Sequence, residues 1–157
     1  MKQMERYQRP KASSAAAKKR MQSTRQKNTS AEVRLRSELH RLGLRFRLNK
    51  RLIPKLRRTV DIVFSKIRLA VFVDGCFWHG CPQHATCPKS NSQFWLDKIK
   101  TNMQRDLDTN RRLEELGWKV IRIWEHEDPK DAAQKIYRIV RERCDLNCRC
   151  RTMNIRK

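Results

Sequence analysis

Metal-ligand and aromatic side chains crowd into one stretch, Leu69 to Lys89, reading LAVFVDGCFWHGCPQHATCPK. Cys76, Cys81 and His84 stand as C-x4-C-x2-H, and Cys87 follows three residues later. Thiolate and imidazole are the donors that tetrahedral zinc takes, usually as a close pair closed by a distant one. Apart from His40, His126 is the one distant Cys or His inside the folded core, so the expected ligand set is Cys76, Cys81, His84 and His126, with Cys87 as alternate for His84. Four protein ligands leave no open position, which suits a structural metal. The plainer alternative is unpaired thiols in a reducing compartment. Between the first two cysteines lie Phe77, Trp78 and His79. His79 is kept apart from the zinc set, because an imidazole can move protons near neutral pH. Cys144, Cys148 and Cys150 sit in a basic tail and are read as non-ligands, with a second metal site as the alternative.

A second candidate is Asp61, a carboxylate inside the apolar run TVDIVF. A buried carboxylate is costly unless it is paired or metal-bound. Asp61 is therefore either functional or on the solvent face of an edge strand.

The elements that must position these groups follow from pattern. Thr29-x-x-Glu32 is a capping box, opening a helix whose Leu35, Leu39 and Leu42 form one apolar face and which Gly43 ends. Leu44 to Leu48 alternates as a short strand with Leu44, Phe46 and Leu48 inward. Thr59 to Phe64 and Ile67 to Val73 are strands joined by a Ser65-Lys66 hairpin turn. A long helix from Ser92 to Leu116 carries the stripe Phe94, Trp95, Ile99, Met103, Leu107, Leu113 and Leu116, which makes Trp95 a core residue on pattern alone. Trp118 to Trp124 is a buried strand, and a last helix spans Asp131 to Arg143. The order α-β-β-β-α-β-α predicts an α/β fold with a mixed sheet and helices on both faces.

The chain has 157 residues and a net charge of +22, so one domain with one partner class is expected: a polyanion. Residues 1–60 hold 19 basic and 3 acidic side chains, so most of the excess lies in the first third. Residues 1–28 are read as a basic flexible arm with Lys18, Lys19, Arg20, Arg25 and Lys27 on phosphates, 29–143 as the folded domain, and 144–157 as a basic cysteine-containing tail. Cysteines without an export signal point to the cytoplasm, on the nucleoid.

Asp61, GCFWH at 75–79, FWLDKI at 94–99, N-x3-D at 102–106 and LEELGWKVIRIWE at 113–125 together resemble the very-short-patch repair, Vsr-type mismatch endonucleases, in register over roughly residues 18–143. The resemblance implies a restriction-endonuclease-like fold with a mixed central sheet, a structural zinc site, catalytic Mg²⁺, and nicking of duplex DNA beside a T·G mismatch, with other mismatch-repair proteins as partners. By position it implies that Asp61 and the Val73 backbone carbonyl bind magnesium, that His79 is catalytic, and that Glu32 and Asp106 are active-site acids. Phe77, Trp78 and Trp95 become wedges into the base stack. Asp74 departs from the pattern, standing where the best-known member has a second histidine; it is counted with the catalytic residues. Two alternatives stay open: a restriction-type nuclease on matched duplex, and a non-catalytic zinc DNA-binding module.

Overall fold

The computed structural model describes residues 28–84 and 89–153, with side chains through 145. The five arm residues assigned to phosphates, and Cys87, lie outside the described residues. Among the described residues three helices and four strands follow the expected order: α1 (Ser30–Arg41), β1 (Arg47–Lys50), β2 (Val60–Phe64), β3 (Leu69–Asp74), α2 (Ser92–Glu115), β4 (Lys119–Trp124) and α3 (Pro129–Met153).

The sheet order is β1-β2-β3-β4. The first two pairings are antiparallel and β3 pairs with β4 in parallel, in register from Leu69↔Lys119 to Asp74↔Trp124. The parallel pair requires a crossover, which α2 supplies. One face of the sheet packs Ile62, Leu69, Val71, Ile121 and Ile123 against Leu35 and Leu39 of α1 and Ala133 and Ile136 of α3. The other packs Val63, Ala70 and Phe72 against Leu113 of α2. With helices on both faces, side chains of both parities along β3 and β4 are covered. Truncating a fully buried residue such as Leu39 to Ala should cost about 2–5 kcal/mol.

Helix α1 starts as the sequence dictates. Thr29 is the N-cap, and the reciprocal Thr29–Glu32 box is formed. Gly43, at φ +75°, takes the left-handed exit that favours glycine. The chain then departs from expectation. The Leu44 N–H donates to the Leu39 carbonyl, so Leu44 finishes the helix exit and pairing begins only at Arg47. Leu48, expected inward, is 38% exposed. The Ser65-Lys66 turn is a short 3-10 helix, Ser65–Ile67, closed by Arg68 in the left-handed region. The last helix continues to Met153 instead of ending near Arg143, because neither glycine nor proline interrupts the chain there. Of the expected α2 stripe only Leu113 is fully buried, with Phe94, Trp95 and Ile99 half-buried. Met103, Leu107 and Leu116 are exposed, as is Leu96 beside the stripe.

Candidate active site and metal cluster

Two groups of side chains meet at the end of the β3–β4 pair. The first is built from Asp61 on β2, Asp74 at the end of β3, His79 in the following loop, Asp106 on α2 and Arg122 on β4. Strand parity explains two of them. Asp74 and Arg122 share the face of Phe72 and Val120, which is the face α2 covers, so Asp106 arrives from above. His79 Nδ1 lies 2.5 Å from Asp106 Oδ2 and 3.8 Å from Asp74 Oδ1. Burial alone would lower the His79 pKa. The Asp106 hydrogen bond, with Asp74 behind it, outweighs that, and the net displacement is upward. Burial pushes the Asp74 carboxyl up, opposed mainly by Arg122 and His79.

Asp61 stands differently. Its Oδ2 accepts the Val73 N–H at 2.9 Å, which places Asp61 and Val73 side by side across β2 and β3. Burial pushes its pKa up to about 6; the Val73 bond opposes this, and Glu32 and Asp74 add to it as like charges. Glu32 is buried on α1 and occupied: it accepts from the Asn28 and Thr29 N–H groups and pairs with Arg36 at 2.6 Å. Asp61 is thus a half-buried acid among other acids with, among the described residues, no arginine in hydrogen-bond contact, an arrangement that a cation fits.

Sequence reasoning missed Arg122. The signal was present, since Arg122 interrupts the apolar strand WKVIRIW as Asp61 interrupts TVDIVF. Its Nε lies 2.6 Å from Asp74 and its Nη2 2.9 Å from Asp106.

The second group is the cysteine–histidine cluster. The ligand atoms of Cys76, Cys81, His84 and His126 all lie within 4.8 Å of one another. Cys76 Sγ is 3.1 Å and Cys81 Sγ 3.7 Å from His126 Nδ1, and Cys81 Sγ is 3.9 Å from His84 Nδ1. Such separations fit four donors at about 2.0–2.3 Å around one tetrahedral ion. Burial, then Cys81 beside it, pushes the Cys76 thiol up to about 11. A bound cation is what would stabilise the pair as thiolates. The Cys76 N–H donates to Glu125 Oε1 at 2.7 Å, so β4 also grips the loop through its backbone. Cys144 is exposed on α3, away from this set.

The loop between the groups is seated on α2. The Trp78 carbonyl accepts from Asn102 Nδ2 at 3.0 Å. Gly80, at φ +65°, lies so close to Met103 and Ile99 that a Cβ there would meet them at 3.0 and 3.1 Å. The loop aromatics meet those of α2: ring centroids of Phe77, Trp78 and Trp95 are 5.1–5.9 Å apart, and Phe94 joins Trp95 at 5.2 Å. All four are half-buried, so Trp95 belongs to an aromatic ledge beside His79 and not to the core.

The family model described as DNA mismatch endonuclease Vsr matches residues 11–85. The chain is 40% identical over 129 residues to the type II nicking enzyme V.NaeI of Lentzea aerocolonigenes, spanning 81% of this chain and 78% of that protein. It is 38% identical over 135 residues to the type II nicking enzyme V.NmeDIP of Neisseria meningitidis serogroup C, spanning 83% and 89%. It is 37% identical over 116 residues to the DNA mismatch endonuclease Vsr of Escherichia coli (strain K12), spanning 71% and 70%.

Proposed function

We propose a function from one premise: the chain belongs to the Vsr family of DNA mismatch endonucleases and is a DNA-cleaving enzyme. The proposal is that it nicks one strand of duplex DNA beside a T·G mismatch on a restriction-endonuclease-like scaffold, opening very-short-patch repair. Magnesium serves at Asp61 and zinc at the cysteine–histidine cluster. The observation that carries this reading is the convergence of Asp61, Asp74, His79 and Asp106 next to an aromatic ledge.

Phosphodiester hydrolysis needs a proton moved and charge neutralised. Asp61 and the Val73 carbonyl would hold magnesium, which supplies charge neutralisation on the phosphate. Asp106 fixes one side of the His79 ring through Nδ1 and leaves Nε2 free to exchange a proton with water or the leaving oxygen. Phe77, Trp78 and Trp95 present half-exposed rings for unstacking. Unstacking costs least at a mismatched step, which by itself favours a mismatch. Cys76, Cys81, His84 and His126 would hold zinc and tie the His79 loop to the end of β4.

Membership of a nuclease family sets aside the non-catalytic zinc-module reading. A restriction-type enzyme on matched duplex becomes an outcome of the test, which is single-turnover nicking of T·G and matched duplexes with and without Mg²⁺. Nicking confined to T·G duplex with Mg²⁺ is the expected result; equal cleavage of both duplexes would remove the mismatch from the proposal. His79→Ala should slow nicking by roughly 100- to 10,000-fold while leaving the Mg²⁺ requirement unchanged.

A further inference from the structure

We propose that Arg122 is a positioning residue whose guanidinium sets Asp74 and Asp106 around His79, and that Asp74 serves this clamp and not the metal. The inference rests on the nuclease reading above.

The geometry is a closed ring of four side chains. Asp74 Oδ2 accepts from Arg122 Nε–H at 2.6 Å, and its Oδ1 lies 3.8 Å from His79 Nδ1. Asp106 pairs through Oδ1 with Arg122 Nη2 at 2.9 Å and through Oδ2 with His79 Nδ1. Each carboxylate thus commits one oxygen to the arginine and directs the other at the histidine. Two neighbouring N–H groups in a rigid fork can hold two acids at once, which a lysine ammonium cannot do with fixed geometry. The fork is itself fixed: Nη1 lies 3.4 Å from Asn110 Oδ1, and the guanidinium carbon stands 4.8 Å above the Phe72 ring.

Without that cation, two carboxylates would face each other across the imidazole and repel. Arg122 ties Asp106 on α2 to the sheet, across the 2.9 Å pair with Nη2. The contrast with Asp61 decides the role of Asp74. Asp61 accepts one backbone N–H and has no arginine in hydrogen-bond contact among the described residues. Asp74 has 6% of its side chain exposed and already pairs with Arg122 at 2.6 Å.

Full-length wild type, Arg122→Gln, Arg122→Lys and Asp74→Asn distinguish these roles. The readouts are single-turnover nicking of a T·G duplex against Mg²⁺ concentration, duplex binding in Ca²⁺, and ¹⁵N resonances of labelled histidine without DNA. Arg122→Gln should bind duplex within a few-fold of wild type and keep the Mg²⁺ midpoint, yet nick about 100-fold more slowly, as expected when a reacting group is misplaced by an ångström. Arg122→Lys should recover part of that rate. The His79 ring should carry its proton on Nδ1 in wild type and lose that preference in Arg122→Gln. Asp74→Asn should leave the Mg²⁺ midpoint within a few-fold. Wild-type nicking together with an unchanged His79 tautomer in Arg122→Gln would overturn the clamp. A large rise in the Mg²⁺ midpoint of Asp74→Asn would make Asp74 a ligand and overturn its assignment. Should Arg122→Gln not fold, full wild-type nicking by Arg122→Lys overturns the need for a fork. A wild type that never nicks T·G duplex defeats the mismatch-nicking reading, while the histidine spectra still decide the clamp.

Discussion

The two clusters at the end of the β3–β4 pair balance their charge in opposite ways. In the acidic cluster most charge is matched internally: Arg122 holds Asp74 and Asp106, Arg36 holds Glu32, and the surplus is left on Asp61. In the cysteine–histidine cluster nothing is matched. Among the described residues no lysine or arginine pairs with its four side chains, and Glu125 adds a further negative group beside Cys76. The second cluster could therefore hold its thiols as thiolates only around a cation, and the loop would then depend on that cation. The first is a nearly complete device that lacks positive charge at one atom. The difference predicts that losing the cation costs the fold in one place and only the reaction in the other.

Breaking the cysteine–histidine cluster should have the largest effect. Elemental analysis of wild type should give about one zinc per chain, and Cys76→Ser should lose both zinc and folded yield, since structural zinc sites contribute on the order of 10 kcal/mol. A metal-free wild type with full folded yield would remove the comparison altogether.

Next comes Asp61→Asn, which strips the surplus charge with little change of volume. Nicking should fall roughly 100- to 1,000-fold, the scale of removing one preorganised interaction with the transition state. Duplex binding in Ca²⁺ should stay within a few-fold, because phosphate contacts by other residues carry it. If Asp61→Asn nicks at the wild-type rate, the surplus charge has no role in the chemistry.

The two clusters were also unequally legible in the sequence. The four zinc candidates were readable because three are near neighbours and the fourth follows a strand end, and zinc chemistry admits few residue types. Asp61 was readable because a carboxylate in TVDIVF is an energetic anomaly. Arg122 obeys the same logic, but an arginine between isoleucines is easily excused as snorkelling, and only the α2 crossover reveals that it faces two acids. The exposed members of the α2 stripe, Met103, Leu107 and Leu116, misled for a related reason. Helical periodicity reports an apolar face and not what covers it; here a loop and an aromatic ledge occupy part of it. The shift of β1 arose from the helix exit, where Leu44 takes a backbone bond that a period-two pattern cannot foresee.

A smaller effect is expected from the arm, which lies outside both clusters. Deleting residues 1–27 removes nine basic side chains and one acid. Duplex affinity should drop and its salt dependence should flatten by roughly 0.9 in log–log slope for each phosphate the arm had neutralised. An unchanged slope would mean that all phosphate contacts come from the folded domain.

The smallest expected effect is on stability, and it tests the claim that Asp61 is strained by design. Without added Mg²⁺ and with zinc retained, the folded chain holds the Asp61 proton up to about pH 6, against an ordinary value of 3.8. Between those values the folded state binds more protons than the unfolded one, so stability falls as pH rises from about 4 to about 6 and then levels. The full gap corresponds to about 3 kcal/mol. Asp61 is half-buried and water reaches it, so about 1–2 kcal/mol is the expected penalty near neutral pH. Asn at position 61 can still accept the Val73 N–H through its amide oxygen but cannot ionise. Asp61→Asn should therefore match wild type near pH 4 and exceed it by that amount at pH 7. Denaturant titrations at the two pH values measure this directly. Adding Mg²⁺ should close the gap by stabilising wild type alone, because a ligand that binds only the folded state adds its binding free energy to stability. A variant less stable than wild type at pH 7 without Mg²⁺ would mean that the Asp61 carboxylate is satisfied by the protein itself, and the acidic cluster would then have no surplus charge for a metal to meet.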